Sequence, residues 1–192
     1  MCIRDRGKST LLKVIAGIYS PDSGEVIAKG RMSSLLDLGA GFREELTGWE
    51  NIPLNGAILG FSPKEMAERT PEIIAFSGLE EFIHQPLRTY SSGMKLRLGF
   101  AVAAAIKPDI LLIDEVLAVG DEAFRQKSMA RIDEMVRGDT TVVIVSHNVS
   151  ELKRLCHRIV LLSHGQKLED GDPDHVLKRY HELIGLAPRN GA

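Results

Sequence analysis

Four places in this chain carry residue types suited to phosphate chemistry. Gly7-Lys8-Ser9-Thr10 sets a glycine, an ammonium and two hydroxyls just ahead of a helical pattern of Leu11, Leu12, Ile15 and Ala16. At a helix start, backbone N–H groups and the positive dipole end hold phosphate oxygens. Lys8 would reach the β/γ-phosphates and the Ser9 hydroxyl would ligate magnesium. Asp114-Glu115 ends the apolar run Ile110-Leu111-Leu112-Ile113. There Asp114 can hold the metal while Glu115 orients a water for attack, a division of labour suited to phosphoryl transfer. His147 follows the run Val142–Val145 and can hydrogen-bond a γ-phosphate or the attacking water. Tyr90-Ser91-Ser92-Gly93-Met94 opens another helical pattern and so another anion-binding end. Each has a plainer alternative: a chance tetrapeptide, two solvated acids, a structural histidine, a simple N-cap.

The elements that must position these groups read as α/β. The run 110–113, bounded by Pro108-Asp109 and two acids, is a buried parallel strand, and open α/β sheets bind ligands at the carboxyl ends of their strands. Val142–Val145 is a second buried strand and Ile159–Leu162 a third. His164-Gly165 is a turn signal, and with Gln166–Glu169 it makes a hairpin. Further strands are expected at Glu25–Ala28 and Met32–Leu36. Helices are expected from Thr47 or Gly48 to Gly60, from Ser62-Pro63 to Ser77 with Gly78 as the stop, and at Leu79–Ile83. More follow after the Ser91-Ser92 cap, over about 122–137, from Asn148 or Ser150 to Cys156, and from Asp172-Pro173 to about Ile184. Met94, Leu98, Ala101, Val102 and Ala105 form one apolar stripe, and the helix at 122–137 is expected to bury Met129, Ile132 and Val136. Residues 47–90 are mostly helical and read as an insertion between the strand-rich start and the later β/α units. Residues 185–192 read as a tail.

Bulk composition bounds the class. With 192 residues and a net charge of −2, the chain can form one domain with a real core and has no nucleic-acid-coating surface. Cys2 and Cys156 form no CxxC pair, which fits a reducing compartment without a disulfide framework. No apolar run reaches the ~18 residues of a membrane span, and Arg4, Asp5 and Arg6 leave no signal-peptide core. A cytoplasmic chain that docks on a membrane protein is expected.

Together these residues resemble the ATP-binding subunit of ABC transporters, over nearly all of the chain from Gly7 to about Ile184. Gly7-Lys8-Ser9-Thr10 is similar to the end of the Walker A loop, and Leu111 to Glu115 to Walker B, with Glu115 as the catalytic carboxylate. Tyr90 to Met94 resembles the signature sequence, keeping Ser91 and Gly93 while Tyr90, Ser92 and Met94 depart from it. Asp121 matches the D-loop acid and His147 the switch histidine. The resemblance implies a P-loop NTPase fold with a mostly parallel sheet, flanking helices and a helical insertion, and it implies ATP and Mg2+ as cofactors. It also implies a head-to-tail homodimer. Lys8, Ser9, Asp114, Glu115 and His147 of one copy would face Ser91 and Gly93 of the other across ATP. An integral membrane permease would be gripped by the insertion, at the cytoplasmic face of the inner membrane.

Leu36–Phe42, Glu45–Gly48, Tyr90–Met94 and Asp114–Asp121 resemble one branch, the exporters of O-antigen, capsule and teichoic acid. Many ABC ATPases carry a Gln ahead of the insertion. None occurs between Arg31 and Asn51, so the coupling-loop residue stays unassigned. The full phosphate-loop pattern also asks for a glycine where Cys2 stands, and a strand before it. Met1 to Arg6 reads as foreign to the fold or cut within the loop, and weak or no ATP binding is the expectation. Other readings are an ABC ATPase for another solute, a soluble ABC protein acting on ribosomes or DNA, and a silent fragment that only docks on the permease.

Overall fold

A computed structural model describes residues 7–36, 38–105, 107–114 and 120–185. Met1–Arg6, Glu115 and the tail from Leu186 lie outside the described residues. The chain divides into two compact units, one of residues 27–143 and one of residues 1–26 with 144–192.

The first unit is built on local signals that the sequence states clearly. β1 (Met32–Ser34) pairs in parallel with β2 (Ile110–Asp114), Met32 opposite Ile110. β3 (Thr141–Val145), of which residues 141–143 belong to this unit, completes the order β1-β2-β3, and its Thr141 N–H donates to the Asp109 carbonyl. Leu111, Leu112 and Ile113 are buried, as a central apolar run requires. Between β1 and β2 lie α2 (Gly48–Ile58), α3 (Pro63–Ser77) and α4 (Ser92–Ala104). Thr47 with Glu50 and Ser62 with Glu65 form reciprocal capping boxes, each satisfying two otherwise orphaned N–H groups. Pro63 enters the first turn of α3, and Gly78 ends that helix at φ 62. Ile52, Met66, Ile73, Leu87, Leu98 and Val102 are fully buried in one core across these helices. α5 (Glu122–Arg137) follows β2.

Gly48 and Gly99 allow close approaches in this unit. A Cβ at 48 would lie 2.5 Å from the Tyr90 hydroxyl, and one at 99 would lie 2.7 Å from the Gly39 nitrogen. The buried Tyr90 hydroxyl donates to the Phe82 carbonyl at 2.7 Å, and burial raises its pKa.

In the second unit, α1 (Lys8–Ile15) is followed in sequence, after the residues of the first unit, by α6 (Val149–Leu155), β4 (Ile159–Ser163), β5 (Gln166–Gly171) and α7 (Pro173–Leu183). β4 and β5 form an antiparallel hairpin. His164 and Gly165 both have positive φ, 49 and 77, the geometry a two-residue hairpin turn needs. α7 packs on both strands and on α6, burying Val176 and Leu177.

Several expectations need correction. Glu25–Ala28 is not a strand. The segment is exposed, Ile27 by 73%, and no named strand pairs with it among the described residues; an extended run becomes a strand only when a neighbour completes its ladder. The strand at Met32 ends at Ser34 rather than Leu36. Leu79–Ile83 is a run of turns, because Gly78 turns the chain and buried Leu79 and Ile83 anchor it in the core. The segment Gln85–Thr89 contains a 3-10 turn at Leu87–Thr89, with Leu87 fully buried. α5 buries Phe124, Ser128, Ile132 and Met135, while Met129 and Val136 are half-buried. The reason is the aromatic cluster: Phe124 meets Phe76 and Phe100 edge-on at 5.7 and 5.9 Å, which turns the helix face. β3 is half-buried rather than buried.

Candidate functional site

Helix starts decide where an anion can sit, because the first four N–H groups have no partner inside the helix. Seven α-helices are described, and five of them carry an acid in the first turn: Glu50 in α2, Glu65 in α3, Glu122 in α5, Glu151 in α6 and Asp174 in α7. Such an acid neutralises the positive dipole end. α1 and α4 have none. These are the two helices that the phosphate-type motifs open.

At α1 the N-cap is Gly7, at φ 81, with no side-chain cap. Glycine adopts this left-handed geometry without steric cost. A Cβ at this position would lie 3.5 Å from the Gly165 Cα at the tip of the β4–β5 hairpin. Lys8 and Ser9 occupy the first turn and Thr10 follows; Ser9 and Thr10 are exposed. At α4 the N-cap is Ser91, whose hydroxyl accepts from the Met94 N–H at 3.2 Å. Gly93 sits in the first turn of the helix, and among the described residues a Cβ there would meet only the Ser91 Oγ, at 3.8 Å. The chain's own packing therefore does not demand a glycine at 93.

Asp114 is the last residue of β2 and is half-buried. Asp121 is the N-cap of α5, its Oδ1 accepting from the Phe124 N–H at 2.8 Å. His147 is exposed, two residues beyond the end of β3, in the turn before α6. Asn148 caps α6, accepting from Ser150 and Glu151, and its N–H donates to the Ser146 hydroxyl at 3.0 Å. Ser91, Gly93, Asp114 and Asp121 thus belong to one unit, and Gly7, Lys8, Ser9, Thr10 and His147 to the other. Glu115 lies outside the described residues.

The family profile described as ABC transporter matches residues 6–118. The chain belongs to the ABC transporter family. Among curated relatives, an O-antigen export system ATP-binding protein of Myxococcus xanthus is 50% identical over 186 residues, covering 97% of this chain and 43% of that protein. A teichoic acids export ATP-binding protein of Shouchella clausii is 42% identical over 182 residues, covering 95% of this chain and 50% of that protein. The chain thus spans about half the length of these curated relatives. A solved ATP-binding subunit of an ABC transporter superimposes with a TM-score of 0.74 at 24% identity, over 95% of this chain and 79% of that one. That likeness shows the fold.

For this ABC transporter chain, sequence reasoning missed two signals near the site. One is the pattern of first-turn acids, which is visible once the helix boundaries are known. The other is Arg97, which the sequence sets merely off the apolar stripe of α4. Its Nε donates to the Ser77 carbonyl at 2.9 Å, and its Nη1 lies 3.7 Å from Asp121 Oδ2. No helix of the described residues is long and apolar enough to cross a membrane.

Proposed function

We propose that this chain is the ATP-binding and ATP-hydrolysing part of a system that exports a polysaccharide or lipid-linked glycan across the cytoplasmic membrane. The observation that carries it is the pair of helix starts without acids, at Gly7-Lys8-Ser9-Thr10 and at Ser91-Ser92-Gly93, where the five other described helices each carry one. Relatives named for ATP binding and for export of O-antigen and teichoic acids support the substrate class.

In this reading Gly7, Lys8, Ser9 and Thr10 bind the nucleotide phosphates through N–H groups, ammonium and hydroxyls. The Ser9 hydroxyl and the Asp114 carboxylate are hard oxygen donors, the kind magnesium prefers, so the residues present fit that ion; when bound, it neutralises charge on the β- and γ-phosphates. Glu115 orients a water and accepts its proton. The water oxygen bonds to the γ-phosphorus, the bond to the β–γ bridging oxygen breaks, and ADP leaves. His147 holds the γ-phosphate or that water. Ser91 and Gly93 face the nucleotide of a second copy, where the absent Cβ of Gly93 leaves room for a phosphate, and Asp121 lies at the same dimer junction. The helical insertion, residues 47–90, grips an integral membrane permease, which keeps the chain peripheral on the cytoplasmic face of the inner membrane.

The test is magnesium-ATP calorimetry and phosphate release. It uses the chain itself and the Myxococcus relative with residues 7–185 of this chain exchanged for its matching stretch. Glu115→Gln should keep ATP binding, trap a dimer on sedimentation and lose hydrolysis by roughly 100-fold or more. Hydrolysis at the unsubstituted rate in Glu115→Gln removes that residue from the role. No ATP binding by either protein overturns the ATPase reading.

A further inference from the structure

Arg97 stands at a junction that neither the phosphate-type motifs nor the core requires. From α4 its Nε donates to the Ser77 carbonyl at 2.9 Å and its Nη2 to the Gly78 carbonyl at 3.3 Å. These are carbonyls at the C-terminal end of α3, where a cation also meets the negative dipole end. Its Nη1 lies 3.7 Å from Asp121 Oδ2, and the guanidinium stacks over the Phe124 ring at 5.1 Å. Two glycines make room for this side chain. A Cβ at Gly78 would lie 2.5 Å from Arg97 Nη2, and a Cβ at Gly120 would lie 3.2 Å from Arg97 Cγ. Both glycines have positive φ, 62 and 73. The site is therefore shaped on two sides around one guanidinium, whose side chain is 24% exposed.

Lys127 provides an internal comparison. Its ammonium donates to the Phe76 carbonyl at 3.0 Å and to the Ala75 carbonyl at 3.3 Å, holding the same end of α3. Its described partners do not include Asp121.

We infer that Arg97 is a positioning residue: one planar guanidinium holds the end of α3 and Asp121 together, so the helical insertion and the start of α5 move as a unit with the helix that Ser91 opens. Asp121 spends Oδ1 on the Phe124 N–H, and Arg97 Nη1 stands as an ion-pair neighbour 3.7 Å from its other oxygen. A guanidinium can serve several oxygens in one plane, whereas an ammonium is a point charge. The inference rests on the proposed reading of Asp121 as an acid at the nucleotide-dependent dimer junction, and it links the permease-gripping insertion to that junction.

The experiment compares Arg97→Met, Arg97→Lys and Lys127→Met in two readouts. The first is amide hydrogen exchange without nucleotide. Arg97→Met should speed exchange at the Phe124 and Arg125 amides by about tenfold, as a local opening of α5, while Lys127→Met leaves them unchanged and loosens only the end of α3. The second is steady-state ATP hydrolysis. Arg97→Met should lower kcat by roughly tenfold with KM within about twofold, the pattern of lost positioning rather than lost binding. Arg97→Lys should recover part of both effects, and it carries the test if the Met variant does not fold. Equal exchange at Phe124 in the Arg97 and Lys127 variants overturns the inference. Altered exchange in a chain that never hydrolyses ATP supports the inference and counts against the ATPase reading alone.

Discussion

The starts of α1 and α4 share one property and differ in another. Neither carries a first-turn acid, so each keeps the positive end of its dipole available. At α4, Ser91 closes one N–H within the chain, and the helix is self-sufficient. At α1, Gly7 closes none. An uncapped start costs stability that a Ser or Asp would have supplied. The difference teaches that α4 is built first to fold and second to present its exposed start to something outside. α1 starts without a side-chain cap, and under the proposed reading a phosphate takes the place of one.

The largest test of this comparison is at α1. Lys8→Ala, made in the exchanged Myxococcus protein, removes the one side-chain cation of the first turn and should weaken magnesium-ATP affinity by roughly 100-fold or more, since a charge-assisted contact to phosphate contributes about 1.5–3 kcal/mol by itself and more with its metal. Calorimetry checks the affinity, and a melting curve on the same samples shows whether Lys8 also serves the fold. A large drop in Tm with unchanged ATP affinity would mean that Lys8 serves the fold.

A sharper pair lies at α4. Ser91→Ala removes the N-cap and should cost about 1 kcal/mol. Gly93→Ala replaces glycine in a helix where, among the described residues, a Cβ meets only Ser91 Oγ at 3.8 Å, and should stabilise the chain by a few tenths to about 1 kcal/mol. The two substitutions therefore move Tm in opposite directions. If this surface meets the nucleotide of a second copy, both lower hydrolysis. Denaturant titrations paired with phosphate-release rates decide the matter. Faster or unchanged hydrolysis in the more stable Gly93→Ala variant would remove α4 from the nucleotide site.

What could be read from sequence follows the range of the forces involved. α3 and α5 are legible almost to the residue, because Ser62-Pro63, Gly78 and Asp121 act within one turn of themselves. The helix over Thr47–Gly60 is legible for the same reason. Glu25–Ala28 is not, because a strand is a property of two segments and the partner is not written in the four residues. The buried face of α5 was misplaced because Phe76 and Phe100, from α3 and α4, select Phe124. For the proposed site, side-chain types and spacing are what nominate Lys8, Ser9, Asp114 and His147. Arg97 was silent, because half of its partners are backbone carbonyls, which every residue carries.

The smallest effect contrasts an acid-capped helix with one that lacks an acid. Glu65 accepts from the Ser62 N–H at 2.9 Å, from the Arg31 guanidinium at 2.9 Å and from the Ser62 hydroxyl at 2.8 Å. The backbone N–H first, and then Arg31, lower its pKa from 4.5 to about 2. A carboxylate with a lowered folded pKa contributes stability that is fully present above its unfolded value and is lost as pH falls through its folded value. The contribution of Glu65 should therefore be complete above pH 4.5 and fade as pH falls toward about 2. The Glu65 side chain is 46% exposed, so solvent screening keeps the effect modest. The check is the difference in Tm between the chain and Glu65→Gln across that window. The difference should close as pH falls, because the protonated acid and the amide are then alike in charge. In Ser91→Ala the corresponding difference should stay flat over the same pH range, since that cap is a neutral hydroxyl and α4 begins without an acid to titrate. A gap for Glu65→Gln that persists at pH 2 would mean that packing, rather than charge, holds the start of α3.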